Sequence, residues 1–259
     1  MWDSGVTSVQ RFSRVREVAP SVRPEGPRTP AYAVCMSSDA VAAYSARASE
    51  YAEQLGHRDA LDERDVEFVL SAFTDVEGPI LDLGCGPGQW TELLREMGKD
   101  VTGMEPSEAF LESARRVYPE CRFVRGSVEE LPDDGRYSGI LAWFSLIHHE
   151  PEAARLALQK IAGALQPGGR LVLGFFDGAK RVPFDHAIAQ AWYWPVAEVC
   201  LDLESAGFEV VRTDARHEQG KKWGVGAVEC DKSCQKSISL PFPRKKARNA
   251  SVAFSFESI

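Results

Sequence analysis

Three glycines at alternate positions, Gly84, Gly86 and Gly88, close an apolar run that begins at Ile80 and lead straight into an amphipathic stretch from Gln89 to about Met97. Glycine has no Cβ and takes positive φ readily, so the chain can turn sharply there and lie flat against another molecule. A strand, a glycine turn and a helix in this order aim the unpaired N–H groups of the helix start at the turn. That arrangement is a ligand cradle, and it demands a fold in which the strand is buried.

The rest of the central chain supplies such a fold. Helical spacing predicts helices over about 39–56 and 63–73, before and after which the pattern changes. Strands are expected at 80–83, 100–105, 122–125, 139–144, 170–176 and 209–213, alternating with helices at 89–97, 107–117, 151–165 and about 195–206. Regular alternation of this kind is the signature of a doubly wound parallel sheet. Ser107 suits a helix cap, Pro151 a first helical position, and Gly98 and Gly168 helix stops.

Domain limits follow from composition. Residues 1–35 are rich in Pro, Ser and Arg without periodicity and are expected to be a disordered extension. Residues 36–230 form the folded domain, and 231–259 read as an irregular basic tail containing Arg244, Lys245, Lys246 and Arg248. The net charge is −8; residues 1–30 carry +2 and residues 231–259 carry +4, which leaves −14 on the chain between them. So acidic a body is unsuited to nucleic acid, whose phosphates need clustered Lys and Arg. No apolar run is long enough for a membrane helix, and no secretory signal is recognisable. Six scattered cysteines fit free thiols in the reducing cytoplasm, and the Cys230–Cys234 pair lacks partners at zinc spacing, so no metal is expected.

In open α/β sheets, ligands bind beyond the carboxyl ends of the strands. Glu105 ends the second strand, 17 residues after Gly88, where a carboxylate can accept from both hydroxyls of a ribose. Dinucleotide folds use G-x-G-x-x-G, whereas the spacing here is G-x-G-x-G. The run Asp82-Leu-Gly-Cys-Gly-Pro-Gly88 resembles the first motif of the class I S-adenosylmethionine-dependent methyltransferases. The resemblance continues through Val101 to Ser107, through Gly126 to Pro132, through Tyr137 to His149, and through Leu165 to Leu173.

The resemblance implies a Rossmann-like, mostly parallel seven-stranded sheet in three α/β/α layers, and transfer of a methyl group from S-adenosyl-L-methionine to a small-molecule acceptor. It places Gly84, Cys85, Gly86 and Gly88 against the methionine part of the cofactor, with Asp82 orienting the loop or receiving the cofactor's amino group. Glu105 would take the ribose. Ser127, where many relatives have Asp, and the N–H of Val128 would read the adenine, with Met104 and Pro106 as apolar neighbours. Ala142 in the fourth strand joins the cofactor contacts, and Tyr44 or Arg47 on the first helix could close over the cofactor carboxylate.

Methyl transfer from a sulfonium is an in-line displacement at an activated carbon, so the protein contributes alignment and water exclusion, with a base optional. His148 and His149 follow the fourth strand on the acceptor side and are the candidate bases or positioning residues; purely structural roles are the alternative. The segment from Phe184 and His186 to Trp192, Tyr193 and Trp194 lies where such proteins insert substrate-covering elements, and suits an apolar or aromatic acceptor or a local hydrophobic cluster. Two other functions fit parts of the pattern. One is a cofactor-binding protein without catalysis. The other is a nicotinamide oxidoreductase, which the glycine spacing and the lack of a Tyr-x-x-x-Lys pair disfavour.

Overall fold

The computed structural model describes residues 58–186, 188–217 and 224–234. The expected N-terminal extension, the helix bearing Tyr44, Arg47 and Tyr51, and the basic cluster at 244–248 lie outside the described residues.

The strands are β1 (Pro79–Leu83), β2 (Asp100–Glu105), β3 (Arg122–Arg125), β4 (Tyr137–Trp143), β5 (Leu165–Asp177), β6 (Pro183–Asp185), β7 (Gln190–Trp192), β8 (Phe208–His217) and β9 (Gly224–Lys232). The helices are α1 (Glu63–Ala72), α2 (Gln89–Glu96), α3 (Glu108–Val117), α4 (Pro151–Ala164) and α5 (Val196–Ser205). Seven strands form one sheet in the order β3-β2-β1-β4-β5-β9-β8, and β6 and β7 form a separate hairpin. Neighbours from β3 to β5 are parallel, while β9 runs antiparallel to both β5 and β8. This is the mostly parallel, doubly wound sheet that the alternating pattern predicts.

Its central strands are apolar on both faces because helices cover both. Leu81, Ile140, Ala142, Leu171 and Leu173 pack with Leu158 and Ile161 of α4 and with Val199 and Leu203 of α5. On the opposite face, Ile80, Val101, Leu141 and Val172 pack with Val69 of α1 and with Trp90, Leu93 and Leu94 of α2. Residues adjacent in sequence thus go to opposite layers, the two-residue period of a strand expressed as two cores. Among the described residues, no helix is long and apolar enough to cross a membrane.

Several boundaries shift. Ser107 does occupy the position before α3, but its side chain makes no capping hydrogen bond. Gly168, expected to stop a helix, has φ 75° within β5, and α4 has already ended at Ala164 because Leu165 is extended. Strand β9 has no counterpart in the sequence reading and runs through Lys232, two residues past Cys230. Seven of its residues, Glu229 among them, are buried in succession, so there is no alternation to read.

Helix α1 is tied to the far edge of the sheet by charge. Asp62 caps it by accepting from the Arg64 N–H at 3.0 Å. Arg216 of β8 pairs with Asp62 at 2.9 Å, with Asp214 at 2.9 Å, and most closely with Asp65, which is buried. Removing one partner of a buried pair leaves an uncompensated charge. Arg216→Ala is therefore expected to cost about 3 kcal/mol, and Asp65→Ala less, since Arg216 keeps two other carboxylates; urea unfolding of both variants checks the order.

Candidate active site

The glycine loop is fixed from below. The N–H groups of Gly84 and Cys85 both donate to the Met104 carbonyl, at 2.7 and 3.0 Å, so the loop is latched to the end of β2. Gly84, Gly86 and Gly88 have φ of 72°, 52° and 92°. The three differ in what surrounds them. A Cβ on Gly88 would lie 2.7 Å from the Phe123 ring, and one on Gly84 would lie 2.5 Å from Ser145 Cβ, whereas a Cβ on Gly86 would meet no atom within 4 Å. Gly84 and Gly88 thus serve close packing, and Gly86 alone faces open space.

Glu105 stands at that space. Its carboxylate accepts from the Gly86 N–H at 3.1 Å through one oxygen and from the Ser107 N–H at 3.0 Å through the other. It bridges the glycine loop and the start of α3. Burial pushes its pKa up to about 7, against the pull of the two N–H donors, and the charge of Asp82 adds to the rise. Asp82 is also buried and accepts from the Thr91 hydroxyl at 2.6 Å, which holds β1 to α2; burial raises it to about 7 as well. Cys85 points beneath the loop into a cluster with Leu111, Ala114 and Phe123, and burial together with the two carboxylates pushes its thiol well up. Its backbone, not its sulfur, belongs to the loop.

Past β3, Gly126 lies against Met104, whose sulfur would be 3.1 Å from an added Cβ. Ser127 is held locally: its N–H and hydroxyl both donate to Glu130, at 3.0 and 3.4 Å. Val128 is buried and opens a short 3-10 turn, and Pro106 is half-buried beside Glu105. Ala142 stands apart from this ring. It is fully buried in β4 and packs into the core on the α4 side, because strand alternation turns it away from α2.

The exit from β4 forms the other wall. Phe144 has φ 55°, the only positive value of a non-glycine among the described residues, and its N–H donates to the Gly174 carbonyl at 3.0 Å. That turn folds Ser145 back against Gly84. Two buried side-chain oxygens flanking the loop, Ser145 Oγ and Gln89 Oε1, have no hydrogen-bond partner. Buried polar atoms are seldom left so, and a polar ligand in the cradle would satisfy them.

The two candidate histidines separate. His148 Nδ1 lies 2.8 Å from the Gln190 carbonyl. A carbonyl only accepts, so Nδ1 carries the proton and Nε2 is left as the basic nitrogen. Burial lowers the His148 pKa to about 4, which keeps the ring neutral at pH 7. His149 is buried on the other side of the loop, 3.8 Å from Glu129 of the 3-10 turn, and neither of its ring nitrogens has a hydrogen-bond partner. Only His148 lies with the aromatic residues of the hairpin, its ring 5.4 Å from that of His186. Sequence reasoning missed Phe144 and Ser145, since no residue type signals a non-glycine in positive φ.

A sheet of this order, with a glycine loop after β1 and an acid at the end of β2, defines the Rossmann-like architecture of class I methyltransferases. A family model described as a methyltransferase domain matches residues 80–169. An uncharacterized methyltransferase of Mycobacterium tuberculosis is 38% identical over 98 residues, which is 36% of this chain and 38% of that protein. Trans-aconitate 2-methyltransferase of Delftia acidovorans is 38% identical over 112 residues, 39% of each protein. Among solved structures, 1,6-didemethyltoxoflavin-N1-methyltransferase of Burkholderia thailandensis superimposes with a TM-score of 0.63 over 80% of this chain and 93% of that one, at 23% identity. Through residues 80–169, about a third of its length, the chain is thus similar to methyltransferases, and its fold is that of the class I S-adenosylmethionine-dependent enzymes. The matched segment spans about two fifths of the length of those two relatives.

Two predictions concern the loop. Gly88→Ala combines positive φ with a clash and is expected to destabilise by about 2 kcal/mol or more, while Gly86→Ala has only the backbone cost of about 1 kcal/mol; denaturant midpoints at matched slope check this. The second uses pH. Below pH 4.5, Glu105 is protonated in both folded and unfolded chains; between 4.5 and about 7 the folded state keeps a proton that the unfolded chain has released. Its contribution to stability therefore falls as pH rises through that window. Glu105→Gln removes this term, so unfolding at pH 5 and pH 7.5 should show the variant gaining on the parent as pH rises.

Proposed function

We propose that this protein is a cytoplasmic S-adenosylmethionine-dependent methyltransferase that acts on a small-molecule acceptor. The observation that carries the reading is the cradle itself: Gly86 facing open space, with Glu105 bonded to its N–H at the end of β2. When bound, S-adenosylmethionine supplies a methyl group already activated by a sulfonium, so the remaining task is alignment.

In this reading the Gly84–Gly88 backbone lies along the methionine part, and Asp82 keeps the loop in place through Thr91. Each Glu105 oxygen already accepts one N–H and retains a lone pair for a ribose hydroxyl. Those added donors would draw the carboxyl pKa down and favour the ion. Ser127 and Val128, with Met104 and Pro106, border the adenine, and Ser145 and Gln89 offer their unpartnered oxygens to polar groups of the ligand. Gln190 accepts from Nδ1 of His148 and so sets its tautomer, and the neutral ring would position the acceptor. The free thiols of Cys85, Cys121, Cys200, Cys230 and Cys234 suit a reducing compartment.

Calorimetric titration with S-adenosylhomocysteine tests the reading, and absence of heat at millimolar ligand would sink it. Glu105→Ala should raise the dissociation constant tenfold or more, because it removes a buried carboxylate worth a few kcal/mol to two hydroxyl donors. An unchanged constant would make Glu105 a structural bridge only. His148→Ala should leave cofactor affinity intact and lower turnover of any acceptor found.

A further inference from the structure

The aromatic residues beyond β4 and β5 form a surface that the cofactor reading leaves unused. Phe144 meets Phe176 edge-on with ring centroids 5.0 Å apart, and Phe176 meets Phe184 at 5.2 Å and 90°. Phe184 stacks on Tyr193 at 4.1 Å and 10°, and His186 lies 5.7 Å from Phe176 and 5.4 Å from His148. Of these rings, Phe176 is buried, while Phe144, Phe184 and Tyr193 are half-buried. We infer that they are an acceptor wall, and that the acceptor is a neutral planar aromatic or heteroaromatic molecule lying against it.

Position is the first support. The residue after Phe144 is Ser145, which touches the Gly84 position, so the wall begins one residue from the cradle. The hairpin that carries Phe184 and His186 is pinned in place: Trp192 N–H donates to the Ile147 carbonyl at 3.0 Å and Trp194 N–H to the Phe176 carbonyl at 2.7 Å.

Strain is the second. Holding a phenylalanine at φ 55° is costly, and a hydrophobic core can be filled without it. Such conformations concentrate where a side chain must be aimed, and here the aim brings the ring to the wall.

Charge is the third. Arg181, the arginine of the loop entering the hairpin, is committed elsewhere: it pairs with Asp202 at 2.7 Å and Glu198 at 3.2 Å, and lies over Trp194. Arg212, the other arginine seen over a ring, covers Phe68 of α1. Among the described residues, a polycarboxylate such as the trans-aconitate named for the Delftia relative would meet those two guanidinium groups already engaged, whereas a flat neutral ring gains stacking and edge contacts with the phenylalanines.

The inference rests on the proposed cofactor site, so S-adenosylhomocysteine is titrated first; failure at that stage overturns both readings. On protein loaded with S-adenosylhomocysteine, lumichrome, a neutral tricyclic heteroaromatic, is then titrated by fluorescence, and tricarballylate by calorimetry. Lumichrome should bind saturably and tricarballylate should not. Phe184→Ala should weaken lumichrome tenfold or more with unchanged S-adenosylhomocysteine affinity, and Phe184→Leu, which keeps bulk but removes the ring, should weaken it in the same direction. No saturable lumichrome binding to loaded protein, equal binding by both variants and parent, or preference for tricarballylate would each overturn the aromatic acceptor and leave the cofactor reading standing.

Discussion

Glu105 joins two backbone segments that would otherwise be independent. One oxygen holds the N–H of Gly86 in the loop after β1, and the other holds the N–H of Ser107 at the start of α3. Two hydrogen bonds from backbone N–H groups, one part-buried and one buried, hold the loop in place beside the open space at Gly86. The cost is a buried carboxyl whose pKa has risen to about 7. Asp82 stands in the same condition one strand away, so the carboxyl end of the sheet concentrates desolvated acid groups at the cradle. Strongly displaced acids of this kind cluster at functional sites, and a ligand with hydroxyl or cationic groups relieves them.

The sheet makes this placement possible. Chain direction across it reverses between β1 and β4, so the loops after both strands open into one crevice. The glycine loop occupies one side and the Phe144–Ser145 turn the other, and the two touch where Ser145 meets Gly84. A change on the acceptor side is therefore one side chain from the cofactor side. The β6–β7 hairpin adds a second coupling, since Gln190 sets the tautomer of His148. A surface insertion thereby fixes the proton position on a residue of the scaffold.

Much of the fold was legible because parallel strands and amphipathic helices carry strong local patterns. Strands β2 and β3 were bounded correctly, and the helices among the described residues to within a residue or two, since Gly88, Pro151 and Gly98 punctuate them. Strand β9 was not legible: its first seven residues are buried in succession, and a strand without alternation is hard to tell from any other apolar run. The cofactor side of the site was readable to nearly the same extent as the sheet, because a tight glycine turn and a strand-end acid need particular residue types. The acceptor side was read only as two histidines and a group of aromatics. The structure parts the histidines, one toward the rings and one into the core beside Glu129.

The sequence by itself determined the alternation of strands and helices, the glycine turn and the acid at the end of β2, all of which depend on spacing within a few residues. Tertiary structure alone decided which of the three glycines faces open space, since that depends on Phe123 and Ser145 arriving from distant parts of the chain. It likewise decided the positive φ of Phe144, the direction of each histidine and the elevation of two carboxyl pKa values. Each of these is a property of what surrounds a residue, and burial and neighbouring charge exist only once remote segments have packed together.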